Sequence, residues 1–221
     1  MTLFNLNNMS FFKELNKKLN TNILTVEIIN SILSERSVDA RKSYLKRACH
    51  NGDLIRIRNG LYLLGKERRK YPYNSFEVAN FILEPSYVSL ESALSHYGLI
   101  PEAVYTTTSV TTRKNLEQDT PIGHFSFSHL KTNYFNFGFY QVREADCRYL
   151  VATPLKALMD YIVLRKKFYK TIEDLEEDLR FDFDEFKSYK EFVNREKVDE
   201  MLFIYKSYRI QIILKEMRKK L

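Results

Sequence analysis

Residues 37–64 have the sequence SVDARKSYLKRACHNGDLIRIRNGLYLL, which predicts a helix, a turn and a tight β-hairpin. Apolar side chains recur at helical spacing up to Asn51-Gly52, where glycine ends the helix because it adopts the left-handed conformation without a Cβ clash. Two short apolar runs, Leu54–Ile57 and Leu61–Leu64, then flank Arg58-Asn59-Gly60. Asn-Gly between such runs is typical of a hairpin turn. A helix followed directly by an arginine-tipped hairpin predicts the second half of a winged helix-turn-helix.

The residues that precede this stretch predict the first half of the same fold. A short amphipathic helix carries Phe11, Phe12, Leu15 and Leu19. A short strand over residues 22–24 follows, and Thr25 is the expected N-cap of a second helix that carries Val26, Ile29, Ile32 and Leu33. Helix, strand, helix, helix, strand, wing and strand is the order of a winged helix. We therefore expect residues 1–71 to form a winged helix-turn-helix DNA-binding domain.

Positive charge is concentrated in the same part of the chain. Residues 34–70 contain eleven Lys and Arg against four Asp and Glu, an excess equal to the net charge of +7 of the whole chain. A local basic excess of this kind is typical of a nucleic-acid-binding surface.

The periodicity of the third helix assigns roles to individual side chains. Val38, Leu45 and Cys49 are predicted to face inward, with Ala48 beside them. Ser43, Lys46 and Arg47 then lie on the opposite face, where they can read a major groove, while Arg41 and Lys42 point sideways to flanking phosphates. The alternative is a solvated basic helix without a ligand, which the basic hairpin next to it disfavours. The predicted DNA-binding residues are Arg36, Arg41, Lys42, Ser43, Lys46, Arg47, Arg56, Arg58 and Asn59.

A second domain is predicted over residues 72–221, so that the fold class is α+β. Helices are expected over 76–83 and after Ser89, the latter ending at Gly98, with Leu99 packing back on its last turn. Alternating patterns over 104–112, 124–128, 134–142 and 148–152 predict an antiparallel sheet with a buried aromatic face. The aromatic residues of this sheet could instead stack on bases, but regular alternation favours a core. Helices beginning at Pro154 and Thr171 and one final helix complete the domain, and an acidic stretch over 171–200 precedes a basic C-terminus.

Composition narrows the class of protein. The chain is 44% hydrophobic and 29% charged, which indicates a globular protein. No apolar run approaches the roughly 20 residues that a membrane span requires, and no secretory signal is recognised. Cys49 and Cys147 lie far apart, as expected for two reduced thiols in a cytoplasmic protein.

No catalytic residues, metal ligands or cofactor site are predicted. His124 and His129 are spaced unlike a known ligand pair, and neither a glycine-rich phosphate loop nor a nucleophile elbow is present. We therefore expect a protein that is not an enzyme.

Three blocks of sequence resemble the AbiEi-like antitoxins of type IV (abortive-infection) toxin–antitoxin systems. They are the basic helix with IRIRNGLY (55–62), YVSLESAL with YGLIPE (87–94 and 97–102), and PLKALMD (154–160). The resemblance implies an N-terminal winged helix that represses the protein's own operon by binding promoter repeats in duplex DNA. It also implies a C-terminal antitoxin domain that opposes a nucleotidyltransferase toxin without forming a stable complex with it.

The alternative is an enzyme that acts on nucleic acid. In that interpretation the winged helix steers a nuclease-like or transferase-like domain over residues 72–221. Within residues 72–221, the sequence shows no set of carboxylates near a lysine that would support this enzymatic alternative.

Overall fold

Two β-sheets organise the chain in the computed structural model, which describes residues 11–15, 21–144 and 146–221. The strands of these ranges are β1 Ile23–Thr25, β2 Leu54–Arg58, β3 Leu61–Leu64, β4 Ser86–Val88, β5 Thr106–Thr111, β6 Leu116–Thr120, β7 Gly123–His129, β8 Phe139–Glu144 and β9 Cys147–Ala152. The α-helices are α1 Val26–Ile32, α2 Val38–His50, α3 Ser75–Ile82, α4 Leu90–His96, α5 Thr132–Phe135, α6 Pro154–Leu164, α7 Ile172–Leu179, α8 Phe183–Ser188, α9 Arg195–Ile204 and α10 Tyr208–Lys220. Residues 11–15 are also helical. The predicted first helix extended to Leu19, which lies outside the described residues.

The smaller sheet is antiparallel and has the strand order β1-β3-β2. One face of β3 contributes Tyr62 and Leu64 to a core shared with the helical residues 11–15, α1 and α2. The other face contributes Leu61 and Leu63 to the much larger core of the C-terminal part. Because β3 is buried on both faces, the small sheet packs against both cores.

The close fit of this sheet to the turn before it depends on Gly65. A Cβ placed on Gly65 would lie 1.8 Å from the carbonyl oxygen of Gly52. The Gly65 N–H donates to the Asp53 carbonyl at 2.8 Å, so the two backbones are in direct contact. Glycine is the residue that permits this approach.

The larger sheet has six strands in the order β6-β7-β5-β4-β9-β8, and it is mixed. The prediction of an antiparallel sheet is wrong in this respect, because β5 pairs with β7 in parallel and β4 pairs with β9 in parallel. Strand β6 was not predicted, and it is the hairpin partner of β7 at one sheet edge. Alternation within a strand reports its buried face but not the direction of its neighbour, which explains the error.

Several elements differ from their predicted bounds. The predicted strand over 134–142 is helix α5 followed by β8, although Phe135 is buried as expected. The predicted single final helix is divided into α9 and α10 by Tyr205, Lys206 and Ser207, and α8 was not predicted. The helix ending at Gly98 is confirmed in detail, since the Leu99 N–H donates to the Leu94 carbonyl and the Gly98 N–H to the Ser95 carbonyl.

The acidic stretch and the basic C-terminus pair with each other. Arg218 contacts Asp199, with Nε to Oδ1 at 2.5 Å, and Lys220 contacts Glu173. These ion pairs hold α10 against α9 and α7 rather than against the basic helix α2. None of the helices in the described residues is long and apolar enough to cross a membrane.

Candidate nucleic-acid interface

Helix α2 is oriented by two completely buried side chains, Tyr44 and Ala48. The Tyr44 ring lies 5.3 Å from the Phe11 ring, and the Arg36 guanidinium lies 5.1 Å above the Tyr44 ring. Burial raises the pKa of the Tyr44 phenol well above its usual range. Tyr44 therefore acts as a neutral apolar anchor that fixes which face of α2 points outward.

The predicted inward face of α2 was partly wrong. Val38 is 56% exposed, while Leu45 and Cys49 are only partly buried. Val38 lies in the first turn of α2, whereas Tyr44 lies at the centre of the helix and packs its ring against Phe11 in the small core. A pattern of aliphatic residues alone gave no reason to place Tyr44 inside.

The opposite face of α2 remains as predicted. Ser43, Lys46 and Arg47 are exposed, and Lys42 joins them. The helix starts at a defined position because the Ser37 hydroxyl accepts a hydrogen bond from the Ala40 N–H. Three basic side chains and one hydroxyl are thus presented on one side of a capped helix.

Arg36 and Arg41 are placed differently from this exposed face. Both are half-buried. The Arg41 guanidinium donates to the Asn30 side-chain oxygen at 2.8 Å, and Arg36 covers the ring of Tyr44. These two arginines therefore join α2 to α1 and to the small core.

The hairpin adds a second group of exposed residues. Arg56, Arg58 and Asn59 are all exposed, and Gly60 has the positive φ of 78° that the turn requires. The Arg56 guanidinium donates to the Asn59 side-chain oxygen at 3.1 Å, and the strand register shifts between Arg56 and Arg58. This irregularity changes the direction of Arg58 relative to Arg56.

Arg56 also lies close to the C-terminal end of α2. Burial raises the pKa of the Cys49 thiol, and the positive charge of Arg56 opposes this shift. Helix α2 packs against β2 of the hairpin, so the exposed basic residues of the two elements lie on neighbouring parts of the protein. We call these residues the basic surface: Lys42, Ser43, Lys46, Arg47, Arg56, Arg58 and Asn59.

Two of the bases after the hairpin are engaged within the protein. Arg68 forms an ion pair with Asp53, with Nε to Oδ1 at 2.7 Å, and Arg69 donates to the Leu64 carbonyl at 2.6 Å. The basic excess counted from sequence thus includes side chains whose function is to hold the residues after β3 in place.

A buried polar cluster in the C-terminal part was not predicted. The Lys156 ammonium pairs with Asp160, and the side chains of both are completely buried. Asp160 Oδ2 also accepts from the Ser89 hydroxyl at 2.8 Å and from the Tyr87 hydroxyl at 3.1 Å. Lys156 Nζ lies 3.2 Å from the Tyr205 hydroxyl.

Ser89 is the N-cap residue of α4, but its hydroxyl does not cap the helix. Its side chain makes no cap hydrogen bond to α4, because the hydroxyl donates to Asp160 instead. Burial raises the pKa of Asp160 and lowers that of Lys156, and the attraction between the two charges opposes both shifts. The sequence carried a signal for this cluster: two charges at i and i+4 in an otherwise apolar helix.

Among the described residues, no group of three or more His, Cys, Asp and Glu side chains is arranged to hold a metal ion. No protein-family model matches the chain, and no curated protein matches it.

Proposed function

We propose that the chain is a DNA-binding transcriptional regulator whose residues 1–71 form a winged helix-turn-helix. The observation that carries this proposal is the set of exposed basic residues on α2 and on the hairpin that packs against it. In this assignment α2 is the recognition helix and the hairpin is the wing. Ser43, Lys46 and Arg47 read base edges, while Lys42, Arg56, Arg58 and Asn59 contact the backbone.

The dimensions of α2 suit this role. A helix of 13 residues is about 20 Å long, and the major groove of B-DNA is about 12 Å wide. Neither edge of the exposed face carries a large apolar side chain other than Val38 in the first turn. The exposed face can therefore enter the groove while Tyr44 and Ala48 remain in the core.

The biological role that we propose is that of an antitoxin and autorepressor in a type IV toxin–antitoxin operon. Its functional partner would be a nucleotidyltransferase toxin with which it forms no stable complex. Two of the sequence blocks that resemble AbiEi-like antitoxins meet in the buried cluster, where Tyr87 and Ser89 bind Asp160. This contact supports the proposal because it gives residues of both blocks a common structural reason to occur together.

DNA binding is tested with the full chain and duplex fragments of its own upstream region. Binding should be tighter than to a scrambled duplex, and the logarithm of the affinity should fall with the logarithm of the salt concentration by about 0.9 per neutralised phosphate. The triple variant Lys42→Ala/Lys46→Ala/Arg47→Ala should lose specific binding. The matched control Lys114→Ala/Lys131→Ala/Lys190→Ala removes three exposed lysines elsewhere and should retain it. Equal loss in both triple variants would show a bulk charge effect and contradict the proposed surface.

The antitoxin role needs a separate measurement. The full chain should restore growth of cells that express a nucleotidyltransferase encoded beside it, and the two purified proteins should elute separately in size-exclusion chromatography. The α2 triple variant should lose repression and keep rescue, since the proposed toxin-opposing domain is the C-terminal one. Duplex binding without rescue would refute the antitoxin role and leave the DNA-binding role intact.

A further inference from the structure

A second basic surface lies far from α2 in the sequence, where the loop after α6 meets the start of α10. We define the basic aromatic corner as residues 165–170 and 206–209, with the sequences RKKFYK and KSYR. These ten residues comprise six bases, three aromatic residues, one serine and no acid. Arg209 joins the two segments by donating to the Lys167 carbonyl at 3.4 Å.

Two aromatic rings of the corner face solvent. Tyr208 is 75% exposed and Phe168 is 45% exposed. Their ring centroids are 6.5 Å apart, with planes inclined by 34°. Exposed aromatic side chains at this spacing form a platform on which a planar group can stack.

A third exposed aromatic residue lies just before the corner in the sequence. Phe203, at the end of α9, is 77% exposed, and the Lys206 ammonium lies 4.7 Å from its ring centroid. Phe203 also borders a cavity of about 550 Å³ whose other walls include Phe137, Phe139 and Phe192. Half of the large hydrophobic side chains that are exposed in the described part of the chain therefore lie at or beside the corner.

Some basic side chains of the corner form ion pairs within the protein, and others are exposed. Arg165 is held by Glu91 through two hydrogen bonds of 2.8 and 2.9 Å, and Lys167 is held by Asp178 at 2.9 Å. Lys166, Lys170 and Lys206 are exposed. These three lysines are interspersed with the two exposed rings in the same two segments.

The acids next to the corner, on α7, also shape the loop. The Asp174 carboxylate accepts from the backbone N–H groups of Lys170 and Thr171 at 2.8 and 3.1 Å. Asp178 accepts from the Lys167 ammonium and from the Tyr169 hydroxyl. The hydrogen bonds of these two acids hold the loop, and so the positions of Phe168 and Lys170, in place.

We infer that the basic aromatic corner binds a single-stranded nucleic acid, with unpaired bases stacked on Tyr208 and Phe168 and phosphates contacted by Lys166, Lys170 and Lys206. Duplex DNA does not fit this surface, because its bases are already stacked on one another inside the helix. An acidic protein would be attracted by the same lysines, but exposed rings interspersed with cations are the combination that single-strand binders use. This activity is additional to the proposed recognition of duplex DNA and uses different residues.

The test uses the full chain and fluorescein-labelled 20-nucleotide oligo(U) RNA and oligo(dT) DNA, followed by fluorescence anisotropy at low salt. At least one oligonucleotide should bind, and the two arms show whether RNA or DNA is preferred. Tyr208→Ala and Phe168→Ala should each weaken binding about tenfold, because each removes a stacked base. Tyr208→Phe should retain binding, since phenylalanine keeps the ring. Lys166→Ala/Lys170→Ala/Lys206→Ala should reduce the salt slope by about 0.7 for each phosphate that the variant no longer neutralises.

Two comparisons separate this inference from the proposed duplex binding. The corner variants should still bind the upstream duplex, and the Lys42→Ala/Lys46→Ala/Arg47→Ala variant should still bind the oligonucleotide. The Lys114→Ala/Lys131→Ala/Lys190→Ala variant should behave as wild type with both. Absence of oligonucleotide binding by the folded protein would overturn the inference, as would an unchanged affinity of Tyr208→Ala. Loss of toxin rescue in corner variants of a chain that binds no oligonucleotide would assign the corner to a protein partner instead.

Discussion

Asp160 is completely buried and lies one helical turn after Lys156, with which it forms an ion pair inside the C-terminal core. Removing two charges from water carries a free-energy cost, and the mutual attraction offsets this cost only while both partners are present. The hydroxyl groups of Tyr87, Ser89 and Tyr205 form further hydrogen bonds with the pair. The pair therefore joins β4, α6 and the residues between α9 and α10.

Breaking this pair should destabilise the protein strongly. Asp160→Asn leaves the Lys156 ammonium without a buried counter-charge and should lower the free energy of unfolding by about 3–5 kcal/mol. The asparagine amide keeps one accepting oxygen and replaces the other with a donor, so the loss includes hydrogen bonds as well as the charge. Adding Lys156→Met should recover most of the stability, as measured by urea unfolding. A double variant no more stable than Asp160→Asn would contradict this explanation.

Gly65→Ala should also be strongly destabilising, for a steric reason. The new methyl group would meet the Gly52 carbonyl oxygen at 1.8 Å, so the backbone would have to move. We expect a loss of about 3 kcal/mol, at the upper end for overpacking. Gly98→Ala is the control, because it has a positive φ of 69° but no atom within 4 Å of the added carbon. It should cost only about 1–2 kcal/mol of backbone strain.

The two histidines His124 and His96 should titrate on opposite sides of the usual value of 6.5. Hydrogen bonds from the His124 imidazole to Asp119 and Glu117, at 2.7 and 2.9 Å, raise the pKa of His124, whereas burial lowers the pKa of His96. The stabilisation from protonated His124 is present below pH 6.5 and is lost as the pH rises through the folded-state pKa. His96 acts in the opposite sense, because the unfolded chain binds its proton more tightly, so stability falls as the pH drops below 6.5.

Nuclear magnetic resonance titration of the two imidazoles measures these midpoints directly. Asp119→Asn should lower the midpoint of His124 and leave that of His96 unchanged. A His124 midpoint below that of His96 in the wild-type protein would show that the hydrogen bonds at β6 and β7 are absent in solution.

Arg47→Ala and Arg58→Ala should affect DNA binding differently if α2 reads bases and the hairpin contacts the backbone. Loss of a bidentate base contact should weaken binding to the preferred duplex by about 1–3 kcal/mol and binding to random duplex by less. Removing a phosphate contact made by Arg58 should weaken both by similar amounts. Competition binding with the two duplexes measures the ratio. Identical ratios for the two variants would refute the division of roles.

Local signals in the sequence predicted the ends of α2 and α4 and the turn of the hairpin. Asn51-Gly52 marked the end of α2, Gly60 marked the hairpin, and Gly98 with Leu99 marked the end of α4, since each is governed by a few adjacent residues. The exposure of Ser43, Lys46 and Arg47 also followed from helical spacing alone. That residues 1–71 form a DNA-binding domain remains a prediction.

Features that depend on distant parts of the chain were not predictable in the same way. The orientation of α2 depends on the contact of Tyr44 with Phe11, and the parallel pairing of β5 with β7 depends on how the chain crosses to β6. The burial of Lys156 depends on partners up to 69 residues earlier and 49 later in the chain, such as Tyr87 and Tyr205. Local periodicity contains none of this information.

Strand β3, buried on both faces, limits how this protein can be recombined with others. A DNA-binding domain that is joined to the rest of its protein only by a linker can be transferred to another protein as a unit. In this protein, transfer of residues 1–71 alone would expose an apolar face of the small sheet to solvent. That face carries Ile23, Ile57, Leu61 and Leu63. A chimera therefore needs a recipient with a matching apolar surface, and the proposed DNA binding is better altered by replacing side chains on the exposed face of α2.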